Sequence, residues 1–185
     1  MSRQPRNELP DGVFHVTAHC VFGLDLFADD RDRYVFLWLL GELTERFPIR
    51  CLAYCLMGTH YHLLLRTTQP NLGDAMKRLN WLYAWRFNRL FGFKGHAFES
   101  RYWSKPIETP EQLVTTIRYF ALNPVRAGLC GSPLAWPWSS YAATVGLAEP
   151  PVFLTLDRVL REFDPEPREA RAAIRRFVEE LAVAA

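Results

Sequence analysis

The chain has 185 residues, 49% of them hydrophobic and 14% aromatic, with 22 Lys and Arg set against 20 Asp and Glu for a formal net charge of +2. That is the size of one domain with an appendage, and so much apolar surface excludes intrinsic disorder. No apolar run approaches the roughly 18 to 20 residues that cross a bilayer, and residues 1–10 lack the apolar stretch of a signal peptide, so a soluble, cytoplasmic protein with no membrane partner is expected.

In chain order, residues 12–21 contain Val13, Phe14, His15, Val16 and Thr17, a β-branched and aromatic run that predicts a strand. A helix is expected next. Asp29 and Asp30 place negative charge at its start, Tyr34, Leu37, Trp38, Leu40 and Leu43 recur at helical spacing, and Phe47-Pro48 stops it. Two apolar runs, 49–57 and 60–67, flank Gly58-Thr59 and read as a hairpin. Asn71 can cap a second helix to about Phe91, with Leu72, Met76, Leu79, Tyr83 and Phe87 on one stripe and the glycine-bounded residues 92–95 at its end.

A further strand fits residues 97–107. Thr109, followed by Pro110 and Glu111, starts a third helix through Leu122, which Asn123-Pro124 should end or kink. Residues 131–140 are turn-rich, and those from about 155 to 185 read as two short charged helices broken at Asp164-Pro165, with Pro167 opening the second. The order strand, helix, strand, strand, helix, strand, helix implies an α+β fold: an antiparallel sheet with helices packed on one face and the other face free for a site. The expected division is a main domain over residues 1–145 and a C-terminal helical extension over 146–185.

Cys20, Cys51, Cys55 and Cys130 come without an export signal and are read as reduced thiols. Alternation along a strand puts Cys51 and Cys55 on one side, where packing is favoured over zinc ligation because no second cysteine pair completes a tetrahedral site.

The charge is unevenly spread. Between Met76 and Lys105 the positive residues are Lys77, Arg78, Arg86, Arg89, Lys94, Arg101 and Lys105, and the one negative residue is Glu99. Trp81, Tyr83, Trp85, Phe87, Phe91, Phe93, Phe98, Tyr102 and Trp103 lie among them. Cations neutralise phosphate and rings stack on unpaired bases, so the segment suits single-stranded nucleic acid. A solvated helix face over an aromatic core produces the same pattern. Arg78, Arg86, Lys94, Arg101 and Lys105 are the candidates for phosphate contacts, and His15 and His96 are candidates for contact with DNA or an ion.

His60-Tyr61-His62 opens the second run of the hairpin. Residues i and i+2 of a strand share a face, so both imidazoles project the same way, within reach of one divalent ion, while Tyr61 points away. Alone, such a pair is more often structural or incidental, and a site needs a third ligand. Tyr119 and Asn123 are four apart and share a helical face, which lets a phenol and an amide converge on one point. Alone, Tyr119 is more often a core or boundary tyrosine. Tyr83 and Tyr102 have no Asn, Gln or acid four residues on.

Met57-Gly58-Thr59-His60-Tyr61-His62-Leu63-Leu64 and Arg118-Tyr119-Phe120-Ala121-Leu122-Asn123-Pro124-Val125-Arg126-Ala127-Gly128 together resemble the HUH single-tyrosine transposases, in particular the branch associated with repetitive extragenic palindromes. The first looks like that family's His-hydrophobic-His strand and the second like its nucleophile helix. Residues 12–17, Gly95-His96 with Arg101-Tyr102, and Trp136-Pro137-Trp138-Ser139-Ser140-Tyr141 add supporting matches, so the resemblance spans roughly residues 12–142. Thr59 stands where the family usually has Asn, and His19 where Arg is expected.

The resemblance implies a ferredoxin-like or RRM-like fold and a metal-dependent transposase acting on single-stranded, hairpin-forming palindromic DNA. It implies a divalent ion, Mg²⁺ or Mn²⁺, at His60, His62 and Asn123. Two imidazoles lean towards Mn²⁺, or towards Mg²⁺ that keeps several waters. Tyr119 is implied as the nucleophile that forms a 5′-phosphotyrosine and frees a 3′-hydroxyl. Both monomers and homodimers occur among such enzymes. A domesticated hairpin-DNA binder without cleavage is the alternative, and an RNA-binding module of ferredoxin-like topology with no ion site is a third reading.

Overall fold

The hairpin at Gly58-Thr59 sets the sheet. In the computed structural model, which describes residues 12–21, 24–92 and 94–180, strands β2 (Ile49–Leu56) and β3 (His60–Thr67) pair antiparallel. β3 pairs antiparallel with β1 (Gly12–His19), and β1 with β4 (Trp103–Ile107), giving the order β2-β3-β1-β4. Helix α1 (Asp30–Arg46) joins β1 to β2, and α2 (Leu72–Phe91) joins β3 to β4, the split βαβ arrangement of ferredoxin-like domains. The fold is α+β, as the element order implied. Phe93 and residues 1–10, used in the readings of charge and targeting, lie outside the described residues. Among the described residues no helix is long and apolar enough to cross a membrane.

α1 begins where Asp29 accepts the Asp32 N–H (2.9 Å) and ends at Phe47, ahead of Pro48. Its buried row is Phe36, Leu39, Leu40 and Leu43, whereas Tyr34 and Trp38 of the expected stripe are exposed. They lie to one side of that row, where Tyr34 meets Trp138 edge-on at 4.9 Å. α2 buries the expected Leu72, Met76, Leu79, Tyr83 and Phe87, and ends at Gly92, whose φ of 60° is a left-handed conformation that glycine adopts without a Cβ penalty. Asn71 occupies the N-cap position, but its side chain makes no capping bond. Phe36 packs on Tyr61 (4.7 Å) and on Tyr83 (5.3 Å). The Tyr61 hydroxyl donates to Asn80 Oδ1 (2.6 Å) and the Tyr83 hydroxyl to Leu26 O (2.7 Å), which fixes α1 and α2 on the Tyr61 face of the sheet.

The opposite face is not bare. α3 (Pro110–Arg126) lies across it and sets Phe120 against His15 (5.0 Å) and His62 (5.4 Å). Thr109 caps this helix by accepting the Gln112 N–H (3.3 Å), and Pro110 sits where an N–H would have no helical partner. The helix does not stop at Asn123-Pro124. Pro124 falls in the last turn, where its missing N–H forfeits a single bond, and the Ala127 N–H returns to Asn123 O (3.0 Å). Asn123 therefore keeps helical register with Tyr119.

β4 is shorter than the expected 97–107, because Glu99, Ser100 and Arg101 are exposed bends and an isolated bridge joins Cys20 to Phe98 ahead of it. A bulge between Cys51 and Ala53 pairs Cys51 with Leu65 but Cys55 with His62, so these two cysteines face opposite sides, contrary to simple alternation. All four cysteines are free thiols, and burial pushes those of Cys51 and Cys55 up to about 12.

Beyond the short helix α4 (Tyr141–Thr144), the C-terminal segment docks on the domain. Leu154, Val159 and Leu160 around α5 (Asp157–Arg161), and Ala170, Ile174 and Val178 of α6 (Pro167–Glu179), belong to the same buried cluster as the sheet residues. The Thr155 N–H bonds Cys51 O (2.8 Å), and the Arg118 guanidinium of α3 sits over the Phe177 ring at 4.2 Å.

Candidate active site

Strand register assembles the histidines. His60 lies opposite His19 and His62 opposite Thr17, so with His15 two residues further along β1, all four imidazoles face the side that α3 covers. His62 is the centre, only 4% exposed, and both of its ring nitrogens are engaged. Nδ1 is 3.0 Å from His15 Nε2, and Nε2 is 3.1 Å from Asn123 Nδ2. An amide nitrogen can only donate, so with this amide orientation His62 carries its proton on Nδ1 and donates it to His15.

His60 is held from two sides. Thr59 Oγ1 is 3.1 Å from its Nδ1, and the His19 ring stacks on it at 4.4 Å with an interplanar angle of 18°. Thr59 and His19, the two positions at which the motif resemblance breaks, thus both touch this ring. His60 meets His62 edge-on at 4.9 Å.

Tyr119 stands at the rim, 38% exposed, with its ring 5.3 Å from His62 and 6.0 Å from His15. The i, i+4 spacing on α3 is what brings both Tyr119 and Asn123 to His62. Tyr61, Tyr83 and Tyr102 are buried, and burial pushes the first two phenols up, which disfavours their phenolates.

Burial, with a smaller contribution from the neighbouring imidazoles, pushes His62 down to about 2. Burial likewise takes His15 to about 4, helped by Lys105, and His60 to about 4, helped by His19. All three rings are neutral near pH 7, the form that offers a lone pair to a cation. Among the described residues no three His, Cys, Asp or Glu side chains are grouped to hold a metal ion by themselves. His60, His62 and Asn123 are residue types that could hold a divalent ion, but Asn123 turns its amide nitrogen to His62, so ligation through its oxygen would require the amide to be turned over. An ion held by His62 and Asn123 would take the place of the hydrogen bond between them.

The basic candidates separate. Lys105 and His15 line a cavity of about 480 Å³ between β4 and α3 that opens on Tyr119. Arg86 lies across the sheet, its guanidinium 3.0 Å from Asp32 in an ion pair joining α2 to α1. Arg78 is exposed on α2, while Lys94, His96 and Arg101 are exposed on the segment leading to β4. Sequence reasoning did not single out Trp103, which lines the same cavity and meets His15 edge-on at 5.5 Å. Its alternation with Lys105 was the available signal, but its use required the β1–β4 register.

Comparison of the sequence with protein-family models and with curated proteins finds no match. Among solved structures, the chain is similar to a REP-associated tyrosine transposase bound to a REP hairpin. The TM-score is 0.67 over 84% of this chain and 92% of that one, at 16% identity. The chain has the fold of that REP-associated transposase, as the motif resemblance implied.

Proposed function

We propose that this protein is a single-stranded DNA endonuclease and strand transferase that acts at hairpin-forming palindromes, as a DNA transposase does. One observation carries the reading: α3 sets Tyr119 5.3 Å from the His62 ring while Asn123 of the same helical face bonds that ring. The shared fold with a transposase solved on a hairpin supports it.

Tyr119 is the nucleophile. Its phenol oxygen forms a bond to phosphorus, the phosphorus–O3′ bond breaks, the phenol proton is lost to solvent and the leaving 3′-oxygen gains one. The aryl ester conserves the bond energy, so a 3′-hydroxyl on another end can reverse the step. His60, His62 and Asn123 would hold a divalent ion, Mg²⁺ or Mn²⁺, which when bound would supply Lewis-acid polarisation of the scissile phosphate. His15 fixes the tautomer of His62, and Thr59 with His19 fixes the plane of His60.

The test is a digest of the protein after incubation with hairpin DNA and Mn²⁺ or Mg²⁺, with nucleotide-bearing peptides located by mass spectrometry. The expected adduct lies on Tyr119, and an adduct on another residue contradicts the assignment. A non-catalytic hairpin binder is the second reading, favoured by the engagement of both His62 nitrogens within the protein. It predicts retained binding with no adduct.

A further inference from the structure

The cavity beside Tyr119 has two unlike walls. Along edge strand β4, Trp103, Lys105 and Ile107 pair with Thr17, His15 and Val13, so their side chains alternate onto one face. From α3, Gln112, Thr115, Thr116 and Tyr119 recur at helical spacing on the facing side. The volume, about 480 Å³, falls in the range of small-ligand sites, roughly 300 to 1,000 Å³. Trp103 is 45% exposed, a large apolar ring left to water, and His15 holds it edge-on.

The chemistry of the lining selects the ligand. Lys105 brings one positive charge, and Glu111 at the first turn of α3 brings one negative charge. Lys105 can pair with one backbone phosphate, and Glu111 leaves the lining without the surplus positive charge that a polyphosphate needs. Gln112 accepts the Glu108 N–H through Oε1 (2.8 Å), which leaves its amide hydrogens as donors for a base carbonyl. The aromatic wall accepts any base by stacking.

We propose that this cavity is a subsite for one unpaired nucleotide adjoining the scissile phosphate, its base stacked on Trp103 and its phosphate facing Lys105. The subsite rests on the single-strand chemistry assigned to Tyr119 and names which part of that substrate the protein grips.

The test uses the full chain in the presence of chelator, so that binding is scored without cleavage. Fluorescence anisotropy compares a hairpin carrying a single-stranded flank with the same hairpin lacking it. Trp103→Ala weakens binding of the flanked hairpin roughly tenfold or more, leaves the unflanked hairpin unchanged, and is rescued by Trp103→Phe. Lys105→Ala lowers the slope of log affinity against log salt by about one phosphate contact. An abasic site scanned along the flank weakens the wild type at one position and adds nothing to Trp103→Ala there. Equal abasic penalties in both proteins, or full affinity in Trp103→Ala, overturn the subsite. Adduct formation on Tyr119 without this coupling removes the subsite alone, whereas coupling without any adduct removes the cleavage reading alone. Circular dichroism on each variant excludes unfolding, and Trp103→Phe keeps the result readable if the alanine variant is unstable.

Discussion

His15 Nε2 lies 3.0 Å from His62 Nδ1, and this contact decides which nitrogen of His62 is turned to Asn123. A histidine that ligates a metal ordinarily gives its other N–H to an orienting group, and loss of such a group typically costs 10- to 100-fold in metal affinity. His15→Leu is therefore expected to weaken Mn²⁺ binding by about that factor in calorimetry, with His15→Gln recovering most of it. In the metal-free protein, ¹⁵N NMR of His62 should show the Nδ1–H tautomer in the wild type and a mixture in His15→Leu. An unchanged tautomer would show that His15 is mere packing.

The buried imidazoles also make stability depend on pH. His15, His60 and His62 are depressed from the ordinary 6.5 to about 4, 4 and 2, so below 6.5 the unfolded chain binds protons that the folded chain refuses. Their stabilising contribution is complete above about 6.5 and is lost as pH falls, towards about 4 for His15 and His60 and on towards about 2 for His62. Thermal melts with chelator should show Tm dropping from pH 7 to pH 5, and dropping less in His62→Gln. A flat wild-type profile across this window would contradict the burial argument.

Arg86 illustrates how a cation that looks free in the sequence is spent on the fold. It bridges to Asp32, whose other carboxylate oxygen accepts the Ala28 N–H (3.1 Å). Arg86→Ala leaves a carboxylate almost buried and unpaired, so a loss of about 1–3 kcal/mol in chemical denaturation is expected. The salt dependence of hairpin binding should stay as in the wild type. A lower salt slope would return Arg86 to the DNA interface.

Docking of the C-terminal helices is tested at Ile174, which is fully buried on α6. Ile174→Ala should cost about 2–5 kcal/mol and keep a single cooperative transition. A separate early transition, with the main melt unmoved, would mark the extension as an independent unit.

Much of the fold was legible because local signals were strong. The run 60–67 is β3, the Leu72 to Phe87 stripe is the buried face of α2, and Thr109-Pro110 opens α3. Periodicity states which residues are buried but not against what, so nothing in the spacing of Leu113, Ile117 and Phe120 showed that α3 crosses the face expected to be open. The bulge beside Cys51 and the passage of α3 through Pro124 likewise depend on tertiary packing that overrides local rules. In the site, the His60 and His62 pair follows from strand alternation alone. The contact of His15 with His62, and the entry of Trp103, depend on the registers of β1 with β3 and β4, which no local pattern encodes.

Attack of Tyr119 on DNA, from a site built on His62 and Asn123, is the step we propose, and it leaves a covalent trace. Labelled hairpin single-stranded DNA is incubated with the protein and Mn²⁺ or Mg²⁺, and a denaturing gel is read for a protein-linked fragment, with Tyr119→Phe alongside. A covalent band in the wild type that vanishes in Tyr119→Phe, while hairpin affinity stays within about twofold because only the hydroxyl is lost, is the predicted result. A band that survives in Tyr119→Phe, or no band while the authentic hairpin binds tightly, would contradict it.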